Sequence, residues 1–238
     1  MLLAAHPSRH RVLCDCIDPS IDDEQAPDAR DPELDLYAPE NPNQPPYTQE
    51  FLTRYRDAQA ARVRRITASV RERLEDLRAR GRPGEERAFV VAGTMADPKV
   101  LDAAIDPNDR VGGVSFLGDP RVVNDGPVGL ARFCTLRSWL SQWSLDDANA
   151  DGVRAAAAVT VPALVVSNSA DNVCTPGYAR VLHAALASED RTALRIDGAN
   201  HYYLGPDQRP HLQRSARACT AWLLDRGLAP DAVAAGLR

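Results

Sequence analysis

Two side chains that act together in acid–base chemistry stand near the end of the chain, thirty residues apart. Asp171 ends the apolar run "VVSNSAD", and His201 stands in the loop-like stretch "DGANHYYLGP". A carboxylate beside an imidazole fixes its tautomer and stabilises the imidazolium, so the imidazole can deprotonate a hydroxyl or a water. The pair therefore predicts two members of a catalytic triad. Asp197, just before the histidine loop, is the alternative acid.

The segments around this pair alternate between strand and helix patterns. "VPALVVSN" (161–168) and "RTALRIDG" (191–198) predict strands, and each is followed by a helical pattern, "GYARVLHAALA" and "HLQRSARACTAWLLDRG". This order predicts an α/β fold with a parallel sheet covered by helices. Ligands in such sheets bind at the carboxyl ends of the strands, where Asp171 and His201 are expected. His183 and His211 fall on the helices and are predicted surface residues.

The preceding part of the chain is less regular. Residues 48 to 80 predict a long amphipathic helix, with Thr48 as N-cap, Gly81 as stop and a basic, solvated outer face. Residues 9 to 18 predict a buried strand, and residues 19 to 47, rich in Pro and acidic residues, a long loop. A strand is expected at 88–93, a short helix at 136–145, and Thr175-Pro176 as the start of a helix.

Residues 158 to 226 resemble the C-terminal third of α/β-hydrolase-fold proteins. "VPALVVSNSADNVCTPGYARVLHAAL" is similar to that family's acid strand, turn and helix, "GANHYYLG" to its histidine loop, and "HRVLCDCIDPS" to the strand after the nucleophile helix. The resemblance implies Asp171 as the orienting acid and His201 as general base, then acid, for a serine. It implies a partial hydrolase core with a mainly helical cap: a core strand in 1–18, the cap in 19–157 and the C-terminal core in 158–238.

The family's nucleophile motif, G-x-S-x-G on a strand-to-helix turn, does not occur in this sequence. "MLLAAHP" stands where the tail of the nucleophile helix is expected. Ser115, in "GGVSFLG", precedes Asp171 and His201 in the right order, but Leu117 replaces the second glycine and no helix is predicted to follow. The serine is therefore expected outside this chain, which predicts a truncated or inactive form of an ester or amide hydrolase, without efficient ester hydrolysis. Acyl transfer on the same triad is equally compatible with these residues.

A second hypothesis is a non-catalytic binding protein, a pseudoenzyme built on a hydrolase remnant. The cap and the remaining sheet would then form a partner surface, and an oligomer would cover the exposed sheet edge. Under the first hypothesis the partner is a small-molecule ester or amide. Aromatic side chains that would either line its pocket or pack in the core are Tyr202, Tyr203, Trp139 and Trp143.

Composition and charge argue against nucleic-acid-binding, membrane and secreted proteins. The 238 residues carry a net charge of −5, which argues against a nucleic-acid partner. No apolar stretch approaches the length of a membrane span, and the start lacks a signal sequence, so neither a membrane partner nor secretion is expected. Five scattered cysteines fit a reducing compartment, and a cytoplasmic location is predicted.

No cofactor is expected, because the sequence has neither a Gly-rich phosphate loop nor a convincing metal motif. Cys14 and Cys16, with His6 and His10 nearby, show C-x-C spacing rather than the wider spacing of zinc sites. They are predicted to share the buried face of a strand. Nothing in the sequence supplies Cys16 with the base that a nucleophile needs, and Cys174 is predicted to serve packing.

Overall fold

A computed structural model describes residues 1–228. In this part of the chain the helices are α1 (Arg9–Cys16), α2 (Gln49–Ala79), α3 (Pro98–Leu101), α4 (Pro120–Asp125), α5 (Leu136–Gln142), α6 (Gly152–Ala156), α7 (Pro176–Ala185) and α8 (Arg209–Leu224). The strands are β1 (Leu2–Leu3), β2 (Ala88–Val90), β3 (Phe133–Thr135), β4 (Ala163–Asn168) and β5 (Arg191–Ile196). None of the helices in this range combines the length and apolarity needed to cross a membrane.

The chain folds into two compact units. The first unit contains Met1–His6, Asn108–Val111 and the described residues from Val153 to Leu228, and the second contains Pro7–Pro107 and Gly112–Gly152. The long segment between β1 and β4 therefore contributes almost all of its residues to the second unit. The α/β class predicted from the sequence is confirmed. Residues 229–238, the end of the C-terminal core predicted at 158–238, lie outside the described residues.

A three-stranded parallel sheet with the order β1-β4-β5 forms the first unit. Val165 is aligned with Leu2 on one side and with Ala193 on the other. Every residue of β4 is buried, as expected for a central strand covered on both faces. The predicted strands at 161–168 and 191–198, and the helices after them, are confirmed.

Alternate residues of β4 pack against opposite layers of the first unit. Leu164 and Val166 form a cluster with Cys219 and Trp222 of α8. Val165 packs on the other face, with Leu186 and Ala179. The period-two alternation of a strand thus gives each covering helix its own set of apolar side chains.

Helix α2 is the main element of the second unit and confirms the strongest helical pattern of the sequence. Oγ1 of Thr48 accepts a hydrogen bond from the backbone N–H of Phe51 at 3.2 Å, as an N-cap does. Gly81 follows the helix with a φ of +72°, a left-handed conformation that glycine adopts without strain. The buried stripe of α2 packs with residues of α1 and α5, including Leu13, Leu136 and Trp139.

The strand predicted over residues 9 to 18 is wrong, because residues 9–16 form helix α1. Leu13 and Ile17 lie four residues apart and are both fully buried in the cluster that contains Val63 of α2. An apolar run this short fits either a strand or a helix, and contact with α2 decides for the helix. The strand at this end of the chain is instead β1, within the "MLLAAHP" segment in which the sequence predicts the tail of a helix.

One arginine of α2 lies inside the second unit, although the sequence predicts a solvated polar face for this helix. Arg62 is fully buried and donates two hydrogen bonds to the carboxylate of Glu24, at 2.8 and 2.7 Å. It also donates to the carbonyls of Asp18 at 2.7 Å and Ala92 at 2.9 Å. The long loop at 19–47, which has no helix or strand as predicted, is thereby attached to the helix at Glu24.

Replacing this arginine tests how much the attachment contributes. We expect Arg62→Leu to lower the free energy of unfolding by about 3 kcal/mol, because it leaves Glu24 and the carbonyls of Asp18 and Ala92 without their donor. Arg64→Leu is the matched control, since Arg64 is on the same helix, is 60% exposed and pairs with exposed Asp146. Its effect should stay within about 0.5 kcal/mol. Equal urea midpoints for the two variants would contradict this account.

Candidate acid–base site

Asp171 lies three residues beyond β4 and is fully buried. Its Oδ1 accepts hydrogen bonds from the backbone N–H groups of Val173 and Cys174, both at 2.7 Å. Its carbonyl oxygen accepts a third bond from Nδ2 of Asn108 at 2.7 Å. The two backbone contacts hold Oδ1 of the carboxylate within its own turn, and the Asn108 contact holds the backbone of that turn.

His201 lies five residues beyond β5, and its Nδ1 is 2.8 Å from Oδ2 of Asp171. A carboxylate only accepts hydrogen bonds, so this contact assigns the proton of a neutral imidazole to Nδ1 and makes Nε2 the acceptor nitrogen of the ring. The ring is 15% exposed, and the Tyr202 ring stands against it edge-on with centroids 4.4 Å apart. The structure thus brings together the two residues named from the sequence.

Asp197, the alternative acid, does not take part in this contact. Its side chain is 74% exposed and accepts a hydrogen bond from Nε of Arg195 at 2.7 Å. An exposed carboxylate already bound to an arginine gives an imidazole little orientation. Asp171 is therefore the carboxylate that contacts His201.

The two loops meet because β4 and β5 are parallel and in register, with Asn168 opposite Ile196 at their ends. Beyond that point, the N–H of Ser169 donates to the carbonyl of Ile196 at 3.1 Å, and the N–H of Ala170 donates to the carbonyl of Ala199 at 2.9 Å. The N–H of Gly198 donates to Oγ of Ser169 at 2.8 Å. The strand pairing thus continues into the loops and places the acid beside the histidine.

The turn that carries the histidine is closed by the residue before it. Asn200 donates through Nδ2 to the carbonyl of Leu204 at 2.7 Å and accepts from the N–H of Leu204 at 3.1 Å. Gln208 accepts from the N–H of Asn200 and donates to the carbonyl of Gly198. Sequence reasoning missed both supporting residues. The type of residue at Asn200 could have indicated a turn, since asparagine favours turns, whereas nothing in the sequence indicates the role of Gln208.

His183 and His211 are half-buried rather than plain surface residues. The ring of His211 lies close to Gly198, whose φ is +76°, so that a Cβ at position 198 would be 2.8 Å from Cε1 of His211. His183 lies on α7, as predicted. Oδ2 of Asp171 is bound to His201, which is therefore the histidine of this site.

Ser115 belongs to the second unit and sits in a tight turn, where its Oγ donates to the carbonyl of Gly118 at 2.9 Å. The expectation that no helix follows is wrong, because α4 starts at Pro120 with Asp119 as its N-cap. Ser115 nevertheless lies in an isolated bridge with Gly118 and not at the end of a strand. The strained strand-to-helix turn of a nucleophile elbow is not present at this serine.

The cysteines differ from expectation in their geometry. Cys14 and Cys16 lie in α1, where residues two apart point in different directions, so they do not share one face as a strand would require. Burial raises the pKa of Cys14 to about 11 and that of Cys16 well above its usual range. Among residues 1–228 no group of three His, Cys, Asp or Glu side chains is arranged to hold a metal ion. Cys174 is buried, and its N–H supports Asp171.

The four aromatic residues separate into core and loop positions. Trp139 is fully buried in the second unit, where its Nε1 donates to Oγ1 of Thr67 at 3.0 Å, and Trp143 is half-buried. Tyr202 is 54% exposed beside His201. Tyr203 donates its hydroxyl to Oδ1 of Asn168 at 2.9 Å. Packing therefore explains Trp139, while the two tyrosines belong to the histidine loop.

No protein-family model, curated protein or solved structure matches this chain. The functional evidence in this chain is therefore the geometry of the site, above all the 2.8 Å contact between Asp171 and His201.

Gly198 gives a direct test of the histidine loop. We expect Gly198→Ala to lower the free energy of unfolding by about 2 to 4 kcal/mol, because alanine is strained at positive φ and its methyl group would overlap His211. Gly113→Ala is the matched control: its φ is +75°, but within the described residues no atom beyond its chain neighbours lies within 4 Å of the place its methyl group would take. It should show only the backbone cost, about 1 kcal/mol. Equal losses in urea denaturation would mean that the His211 contact is not restrictive.

The raised pKa of Cys14 predicts slow alkylation. At pH 7 its thiolate fraction should be about 100-fold below that of a cysteine with an ordinary pKa, so iodoacetamide should react correspondingly slowly with the folded chain. The rate should rise about tenfold per pH unit toward pH 10. Peptide mass spectrometry measures it, with the same chain in urea as reference. Equal rates at Cys14 in the folded and unfolded chains would refute the prediction.

Proposed function

We propose that Asp171 and His201 are the acid and the base of a Ser-Asp-His triad of the α/β-hydrolase type, acting on a small-molecule ester or amide. The serine is proposed to lie outside these 238 residues. The observation that carries this proposal is the 2.8 Å contact between Nδ1 of His201 and Oδ2 of Asp171, at the carboxyl ends of two adjacent parallel strands. That contact has the geometry with which a triad acid orients its histidine.

The position of the second unit in the chain supports the same proposal. The strand before it, β1, pairs in parallel with the acid strand β4, which in turn pairs with the histidine strand β5. Between β1 and β4 stand five helices and a two-stranded sheet within the described residues of the second unit. The resemblance implies a core strand, a mainly helical cap and then the acid and histidine strands; the same order occurs here, with β1 at Leu2–Leu3 in place of the strand expected within residues 9–18.

In the proposed reaction, Nε2 of His201 takes the hydroxyl proton of the serine as its oxygen attacks the carbonyl carbon of the substrate. The imidazolium then gives this proton to the leaving alcohol or amine when the carbonyl carbon–heteroatom bond breaks. Water attacks the acyl-serine in the second half, with His201 again as base and then acid. Asp171 keeps the proton on Nδ1 and stabilises the positive charge, while the buried turn around it prevents rotation of the carboxylate.

An ester-hydrolysis assay tests whether the 238-residue chain lacks a nucleophile. We expect the purified 238-residue chain to hydrolyse p-nitrophenyl acetate no faster than its His201→Ala variant, because a base without an attacking hydroxyl contributes little. Ser115→Ala is the matched control and should change nothing. Turnover that both substitutions abolish would show a nucleophile inside the chain and overturn this part of the proposal.

The triad itself is tested on the product of the reading frame continued upstream of the Met1 codon. If that frame encodes a strand, a G-x-S-x-G turn and a helix, the longer protein should hydrolyse activated esters. Asp171→Asn should then lower kcat by about 10⁴-fold, since the histidine would hold the wrong tautomer. Full activity of Asp171→Asn would refute the proposed role. An upstream frame without that motif would favour the non-catalytic binding protein.

A further inference from the structure

One amide side chain of the acid strand β4, that of Asn168, forms hydrogen bonds to the histidine loop on both sides of His201. Asn168 is the last residue of β4 and is fully buried. Its Nδ2 donates to the carbonyl of Asn200 at 2.8 Å, and its Oδ1 accepts from the hydroxyl of Tyr203 at 2.9 Å. Both ends of the amide therefore contact the loop, one directly before His201 and the other two residues after it.

We infer that Asn168 is a positioning residue for His201, an inference that rests on the proposed function of the Asp171–His201 pair. Each of its bonds fixes one side of the histidine. The bond to Asn200 sets the peptide that leads into His201. The bond to Tyr203 holds a residue whose φ is +54°, a conformation that costs a non-glycine residue energy unless its surroundings impose it.

The neighbouring bonds act at other points of the loop, and those of Gln208 hold Asn200 and Gly198 from the start of α8 rather than from β4. Ser169 and Ala170 bind the loop at Ile196, Gly198 and Ala199, all of them before the histidine turn. Asn200 and Leu204 close the turn on itself, which sets its shape but not its distance from β4. Asn168 is the β4 residue whose side chain bonds to both flanks of His201. Loss of that amide should leave the turn formed but the imidazole less well aligned with Oδ2 of Asp171.

The chain contains a close match to this residue in another place. Asn124 is also fully buried, and its amide also donates and accepts: Nδ2 binds Oδ2 of Asp18 at 2.7 Å and Oδ1 accepts from the N–H of Met95 at 2.9 Å. It belongs to the second unit, whereas Asp171 and His201 belong to the first. Substituting Asn124 removes the same kind of buried amide without touching the bonds of the histidine loop.

The test is side-chain ¹⁵N NMR of the full 238-residue chain, with the His201 signals assigned by their loss in His201→Gln. In the unsubstituted protein we expect Nδ1 protonated, with a downfield Nδ1–H signal that disappears in Asp171→Asn. Asn168→Ala should lose this signal or shift His201 toward the Nε2–H tautomer that a free imidazole prefers. Asn124→Ala should keep it, at a comparable loss of thermal stability.

If Asn168→Ala does not fold, a second variant, Tyr203→Phe, still tests the inference. Tyr203→Phe removes one of the two bonds and should weaken the Nδ1–H signal less than Asn168→Ala does, through faster exchange of that proton with water. Retention of the signal at full strength in the folded Asn168 and Tyr203 variants would overturn the inference. The proposed function fails in a different way: the unsubstituted protein would then show no Nδ1–H signal that depends on Asp171.

Discussion

The in-register pairing of β4 with β5 is the constraint on which the site depends. Parallel strands have their carboxyl ends at the same edge of a sheet, so residues that follow them by a few positions are brought together whatever their distance in sequence. In this chain the alignment of Asn168 with Ile196 sets the starting points of both loops. The Asp171–His201 contact is then reached through backbone and side-chain bonds that continue the pairing beyond the strands.

The two loops are held in different ways. The acid loop is short, and two of its own backbone N–H groups bind Oδ1 of the buried Asp171 carboxylate. The histidine loop is longer and depends on side chains from outside it, notably Asn168 and Gln208. The Asp171 carboxylate is a fixed acceptor, and the His201 loop is held by side chains outside it. Together they orient the imidazole, while part of the ring stays exposed to solvent.

The sequence predicts an element or a site residue correctly where the hydrophobic periodicity and the local chemistry agree. The strands and helices after residue 160, the long helix α2 with its Thr48 cap, and the pair Asp171 and His201 follow from patterns that tertiary contacts reinforce. The strand predicted at residues 9 to 18 is a helix over 9–16, because its few apolar residues fit both periods and packing against α2 favours the helix. Arg62 is buried although the sequence predicts a solvated face, because a sequence does not show which arginine meets the carboxylate of Glu24.

The supporting residues of the site were beyond prediction for a related reason. Asn168 and Gln208 act through contacts with residues 32 and 8 positions away, respectively, and the direction of an amide becomes visible only when both strands are in place. Asp171 and His201 had a recognisable order and spacing, whereas their supports are polar residues with no motif of their own.

Gln208 has a consequence for how the site opens. It occupies the N-cap position of α8 but makes no side-chain bond to that helix; its amide is committed to Asn200 and Gly198. Fraying of the first turn of α8 is expected to loosen these two bonds, so local opening of the helix end and of the histidine turn should be coupled. Amide hydrogens at the start of α8 and near Asn200 should then exchange with solvent together, while Asn168 still holds the loop to β4.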